Sequence, residues 1–359
     1  MIKDITKKCL AKENVFSKKM ISLDDYMFIQ RKGISYDDVE FRNVFSTKFT
    51  KLNTNNLLES GDKFKIVVNK KKYEATQFEF NMIYCSTGEF TMGVDAEDYT
   101  YPASSRYTNH VVIDKPFLIS EKKITRAFWA FVMEDNRYTT SLTKSNKEHP
   151  ITNITWYDAI LFCNTLSKLD NKKPCYIFNW DVKERKEYKY NGYMDDEGNI
   201  VALEQISDIF FDKNANGYRL PTEIEWEYAA LADCNYLYAG SNNLDEVACY
   251  DLDEITKVAT KKPNAWGLYD MSGLTYEFCN DAWIEDIYET RKFDPKVKNE
   301  IIGFDTPSEE GFEDKRVQRG LNFSSEEKPW EDGRIKVRSY DHASAKSEYM
   351  SFRIVRQNI

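Results

Sequence analysis

A mixed α+β fold with much irregular structure is what this sequence predicts, and three observations point to it. Short runs with a two-residue apolar period alternate with single, well-capped helical segments. Hydrophobic residues make up 42% and aromatic residues 14% of the 359 positions, enough for a sizeable core. Long polar, turn-rich stretches separate the periodic segments. No apolar stretch approaches the roughly 18–20 residues that cross a bilayer, and the opening MIKDITKKCLAKEN has neither an apolar h-region nor a cleavage pattern. A cytoplasmic protein with no membrane partner is therefore expected.

The formal net charge of −9 is unevenly spread. Residues 1–74 hold 16 Lys and Arg against 10 Asp and Glu, a surplus of +6 that leaves −15 for the remainder. This contrast divides the chain into a basic N-terminal region, 1–76, and a larger domain, 77–357. The basic region is a candidate for docking a partner, but it carries no aromatic-interleaved stripe or recognition motif, so nucleic acid is not the expected ligand. Seven cysteines, an odd number with no C-x-x-C pair, suggest neither a zinc site nor a disulfide framework. Three scattered histidines, His110, His149 and His342, disfavour a histidine metal centre.

In chain order, helices are expected around Ile21–Gln30 and Asp37–Phe45, then a strand at Lys63–Asn69. FEFNMIYCSTGEFTMG, from Phe78, alternates like a strand pair with a turn. HVVIDKPFLIS (110–120) reads as one strand interrupted by Pro116, which suits an edge. Thr125 and Thr155 cap two core helices, Thr155 with Asp158 as its capping-box partner. The first has Ala127, Phe128, Phe131 and Val132 as its apolar stripe. Residues 176–211 form a Tyr-rich hairpin region with tips at 191–193 and 195–199. GYRLPTEIEWEYAA (217–230) combines a turn, a rigid Leu-Pro-Thr corner and an amphipathic helix capped by Thr222 and Glu225. Trp226, Ala229 and Ala230 give that helix its apolar face, and Glu223, Glu225 and Glu227 place charge near its start. Closing strands follow from Val317.

FTMG (90–93), ITRAFWAFV (124–132), HPITNITWYDAILFCNTLS (149–167), GYRLPTEIEWEYAA, KPNAWGLYDMSG (262–273), VQRG (317–320) and SFRIVR (351–356) occur in the order found in formylglycine-generating enzymes. Over Gln77–Arg356 the chain resembles this sulfatase-modifying-factor family. The resemblance implies an α+β domain of the irregular C-type lectin-like kind. In the enzymes, a stretch beginning RGGSW precedes two cysteines that hold copper(I), and oxygen then converts a peptide cysteine to formylglycine. Here the stretch is RGLNFSSEEKPWEDGR (319–334), with Ser325 and Trp330 near the thiol positions and Cys279 the last cysteine of the sequence. Soft thiolates select Cu(I), so copper is not expected. The family's GNVWE calcium stretch corresponds to GLTYE (273–277), which keeps only Glu277 and backbone oxygens. Histidines of an added helical domain, which hold iron in sulfoxide-forming relatives, are also missing.

Asp212, Asn214, Asn216, Gly217 and Glu223 fit the spacing of an EF-hand loop. They fit a polar turn entering the capped helix better, so these residues and Glu277 are weak calcium candidates. No other cofactor is expected. The leading expectation is a non-catalytic scaffold binding a protein, peptide or glycan through a C-terminal surface of Asn322, Phe323, Ser324, Ser325, Trp330, Arg334, Arg338 and Tyr340. The aromatics also suit a core, and the arginines suit structural ion pairs. A narrower version makes this surface one diversified by a retroelement, as in variable proteins that resemble the family. The competing class is an enzyme of the same family using Cys279, Glu277, or His342 with Asp341.

Overall fold

The computed structural model describes residues 58–69, 77–106, 108–133, 142–178, 209–284 and 315–357, with the backbone of six short strand pieces elsewhere. Its strands are β1 (Lys63–Asn69), β2 (Gln77–Cys85), β3 (Gly88–Met92), β4 (Asn109–Ile113), β5 (Phe117–Ser120), β6 (Tyr176–Phe178), β7 (Ile209–Phe211), β8 (Tyr218–Arg219), β9 (Tyr276–Ala282), β10 (Lys315–Arg319), β11 (Ser339–His342), β12 (Met350–Ser351) and β13 (Val355–Gln357). Three helices are α1 (Arg126–Met133), α2 (Trp156–Leu169) and α3 (Glu223–Leu231), and two single turns are α4 (Leu244–Val247) and α5 (Pro329–Asp332).

The main sheet is antiparallel in the order β8-β13-β5-β2-β1. Along β2 and β5 successive side chains leave on opposite faces. Met82, Tyr84 and Leu118 join the cluster built on α1 and α2, where Trp129 stacks on Phe162 at 5.4 Å. Ile83, Cys85, Phe117 and Ile119 join the cluster around Trp226, Ala229 and Ala230 of α3. Apolar residues on both faces of the central strands thus make a helix–sheet–helix core. A second sheet, β11-β10-β9-β12, has β12 parallel to β9. A third pairs β3 with β4, extended by Val297–Lys298.

Both capping boxes form as expected. Thr155 Oγ1 accepts from the Asp158 N–H (3.0 Å) and Asp158 Oδ2 from the Thr155 N–H (2.9 Å). Thr222 and Glu225 repeat the exchange at 3.0 and 2.9 Å. Gly217 is needed for close approach, since a Cβ there would lie 2.4 Å from the Lys173 carbonyl and 2.5 Å from Ser167 Oγ. That hydroxyl accepts the Tyr218 N–H, fixing the entry to the Leu-Pro-Thr corner. Within 176–211, β6 pairs antiparallel with β7, and Gly192–Met194 pairs antiparallel with Tyr188–Lys189 and Ile200–Val201, while the expected tip at 195–199 lies outside the described residues.

Several expectations are corrected. β2 and β3 are not a hairpin, because β2 pairs with β1 and β5 while β3 pairs with β4. Pro116 interrupts no edge strand: it separates β4 from β5, which lie in different sheets, and β5 is central. Lys63–Asn69 holds a seven-residue register with β2, so the main sheet begins before residue 77. Trp129 of α1 is fully buried while Ala127 is only half-buried, a rotation of the expected stripe. Glu40–Arg42 is a strand paired with Phe49–Lys51, where a helix is expected over 37–45; local alternation outweighs helical period in this short run. The helix expected at 21–30 lies outside the described residues. Removing the cap hydroxyl by Thr222→Ala is expected to lower stability by about 1 kcal/mol in urea unfolding.

Candidate functional site

The three glutamates of α3 are buried together with its apolar face. The amphipathic reading is therefore corrected: the helix is covered on all sides, and each carboxylate is neutralised by an arginine, Glu225 by one of its own motif and Glu223 and Glu227 by ones from distant motifs. Arg219 on β8 grips Glu225 with two hydrogen bonds of 2.6 Å. Arg319 at the end of β10 reaches Glu223 at 2.8 Å and Glu227 at 2.6 Å, its guanidinium 5.0 Å from the Trp226 ring centroid. Arg338 takes both oxygens of Glu223, at 2.6 and 3.0 Å. Gly320, in the left-handed region at φ +86°, turns the chain immediately after Arg319.

Glu277 on β9 forms a second buried centre. It accepts from Lys123, from Arg353 Nε (2.6 Å) and Nη2 (2.8 Å), and from Trp226 Nε1 (2.9 Å). Burial alone would raise its pKa, but Arg353 and Lys123 overcome that and hold it at about 2. Burial in turn lowers the pKa of Lys123, against the pull of Glu277. Two cations already occupy this carboxylate, so its place as a calcium candidate is corrected: a metal there would meet an ammonium and a guanidinium. Leu274 points a fully buried side chain into an apolar cluster with Cys249 and Val258.

The residues with EF-hand spacing are likewise drawn apart. Asp212 pairs with Lys173 Nζ at 2.5 Å and caps the Asn214 N–H. Asn216 Oδ1 accepts the Lys173 N–H, and Glu223 belongs to the arginines. Among the described residues no group of three or more His, Cys, Asp or Glu is arranged to hold a metal. Ser325 itself offers a hydroxyl, a hard donor that does not select copper(I).

The C-terminal candidates do not form one surface. Asn322, Ser324 and Ser325 are half-buried beside Leu252 and Asp251, whose N–H groups donate to the carbonyls of Phe323 and Ser325. Phe323 is buried, 5.4 Å from Tyr349. Tyr340 is exposed on β11, beside Trp283 at 4.8 Å and under Lys315 Nζ at 4.3 Å. β11 and β12 are opposite edges of their sheet, three strand spacings or about 14 Å apart. Arg338 is corrected from surface contact to structural partner of Glu223. Arg334 is largely buried, donating to the Thr100 carbonyl at 2.6 Å with its guanidinium 3.7 Å from the Tyr101 ring centroid. The Trp330 side chain lies outside what is described.

Of the alternative catalytic residues, Cys279 is fully buried, and its thiol pKa is raised well above the ordinary range by burial and then by Glu223 and Asp281. The Asp341 carboxylate accepts the backbone N–H of His342 at 2.8 Å. The concave feature that sequence reading missed is an open groove of ≈ 510 Å³ between β3 and the loop after α3, with Tyr101, Tyr236 and Lys336 on its walls. Its signal in the sequence is the acid and tyrosine content of DAEDYTY (95–101) and the tyrosines of CNYLY (234–238), two loop stretches far apart in the chain.

Glu277→Gln leaves two buried cations underpaired and is expected to cost about 3–5 kcal/mol at neutral pH. The folded pKa of about 2 lies below the ordinary 4.5, so the pairing stabilises the fold fully above pH 4.5, and this contribution is lost as pH falls towards 2. Urea unfolding at neutral and acid pH should therefore show the gap between parent and variant narrowing as pH drops.

A family model described as sulfatase-modifying factor enzyme 1-like domain matches residues 69–358. Chaperone protein LppX of Paenibacillus barcinonensis is 34% identical over 200 residues, 49% of this chain and 66% of that protein. Serine/threonine-protein kinase pkn1 of Chlamydia pneumoniae is 39% identical over 82 residues, 22% of this chain and 13% of that one. The chain thus spans less than two thirds of the length of either relative. Among solved structures, Treponema denticola variable protein 1 superposes with a TM-score of 0.64 at 24% identity, covering 82% of this chain and 99% of that one. PvdO from Pseudomonas aeruginosa does so with a TM-score of 0.56 at 17% identity, over 84% and 100%. Identities this low show the fold alone. Because the matched stretch makes up well over half of the chain, the chain belongs to the sulfatase-modifying factor enzyme 1-like family.

Proposed function

We propose that this chain is a non-catalytic member of its family, a scaffold that binds a protein or peptide ligand and works without copper. The observation that carries the reading is the state of the thiols. Of the six described cysteines five are buried and Cys234 is half-buried, and Cys279, the last in the sequence, is sealed in the core with its thiol held protonated. A nucleophilic or copper-binding cysteine needs the opposite: an accessible sulfur in a setting that favours thiolate. Where the family's enzymes carry the pair, this chain has Ser325 and Trp330.

Binding is supported by what the frame leaves accessible: Tyr340 is exposed and Asn322, Ser324 and Ser325 are half-buried, while Phe323 and Arg338 serve the interior. The description of LppX as a chaperone protein favours a protein or peptide over a glycan as ligand. A retroelement-diversified surface is a narrower form of the same reading; a neighbouring reverse transcriptase gene with a template repeat would support it, and their absence would remove it.

Purified protein loaded with Cu(I) and mixed with cysteine-containing peptides is expected to show no peptide-dependent oxygen uptake and no stoichiometric copper by elemental analysis. Oxygen uptake with conversion of the peptide cysteine, read by mass spectrometry, would overturn the proposal.

A further inference from the structure

The groove between β3 and the loop after α3 has a chemistry of its own. Its volume of ≈ 510 Å³ is within the range of sites that enclose a few residues of a peptide. Three carboxylates, Glu89, Asp98 and Asp233, face one ammonium, Lys336. That ammonium is tied to the rim, donating to the carbonyls of Gly93 (2.7 Å) and Thr91 (3.3 Å). Asp98 is oriented by the N–H and hydroxyl of Thr100, at 3.1 and 2.6 Å, and Glu89 is shared with His110 at 3.0 Å. Asp233 is exposed. The lining residues therefore carry a surplus of two negative charges, of which the Arg334 guanidinium behind Tyr101 offsets part at Asp98, leaving the groove acidic.

The walls are aromatic. Tyr236 is 43% exposed, and Tyr101 already carries the Arg334 guanidinium against its ring, so this wall accepts a planar cation. The loop is also held in place before any ligand arrives. Leu237 donates its N–H to Asn242 Oδ1 (2.9 Å), and its carbonyl accepts from Ile335 (2.9 Å). A fixed acidic site with tyrosine faces suits a guanidinium, which stacks and hydrogen-bonds at once, better than an anion or a neutral sugar.

We propose that this groove binds a peptide segment presenting an arginine side chain, seated between the tyrosine faces and the carboxylates of Asp98 and Asp233. The inference rests on the scaffold reading above and names the ligand class for it. Lysine fits the charge but not the stacking, so it should bind less tightly.

The test uses short fluorescein-labelled peptides identical except for one central residue, arginine, lysine, citrulline or glutamate, titrated against the full chain by fluorescence anisotropy. Arginine is expected to bind tightest, with citrulline and glutamate about tenfold weaker or more. Asp98→Asn with Asp233→Asn, which keeps an amide suited to the left-handed backbone at residue 233 (φ 58°), should remove that preference. Tyr236→Ala should weaken arginine more than lysine. Equal binding of arginine and citrulline, no binding of the arginine peptide, or binding untouched by the groove variants would overturn the inference. Loss on Tyr340→Ala with the groove variants silent would move the ligand elsewhere, overturning the groove while leaving the scaffold reading intact. Peptide-dependent oxygen uptake would instead sink the scaffold reading.

Discussion

The structure depends on matching buried carboxylates to buried guanidiniums. Glu223, Glu225, Glu227 and Glu277 are all buried, and Arg219, Arg319, Arg338, Arg353 and Lys123 meet them inside the core. An unpaired ion at such a site costs several kcal/mol, so each of these groups is tolerable only where its partner is placed correctly. The partners come from β8, the end of β10, the approach to β11, and the link between β12 and β13. The network therefore ties α3 to two sheets at once, and an error in the placement of any one strand would strand a charge. That geometric demand is the role in which buried ion pairs are best attested, since their net contribution to stability is modest against well-packed apolar residues.

This frame also decides where function can reside. Charges that look available in the sequence, such as Glu277, Glu223 and Arg338, are neutralised by neighbours within 3 Å and face no solvent. Among the described residues five of six cysteines are buried, and no group of three or more His, Cys, Asp or Glu is arranged to hold a metal. Loops at the edges of the frame are held by backbone and arginine contacts from beneath. Arg334 shows the principle: it joins the Glu331 carbonyl to that of Thr100 and supports Tyr101, so a residue expected at the surface instead shapes the surface from below.

Much of the fold was legible because its signals are local. The boxes at Thr155 and Thr222 need only residues three apart, and the alternation in β2 needs only neighbours. The site was less legible because its partners are far apart in sequence. Glu223 is separated from Arg319 by 96 residues and from Arg338 by 115. A glutamate near a helix start reads as solvated and dipole-favoured, and nothing nearby in the sequence announces an arginine waiting in the core.

By itself the sequence determined the family, the capped helices, the turn at Gly217, and the position of Cys279 as its last cysteine. Each of these follows from residue identity or short-range spacing. Only the tertiary structure decided that β2 and β3 part into different sheets, that α3 is enclosed on every face, that Glu277 is held by Lys123 and Arg353, and that an acidic, tyrosine-walled groove opens beside β3. Those outcomes depend on which distant groups meet. Meeting is a property of packing and long-range charge pairing, which local propensity and periodicity do not encode.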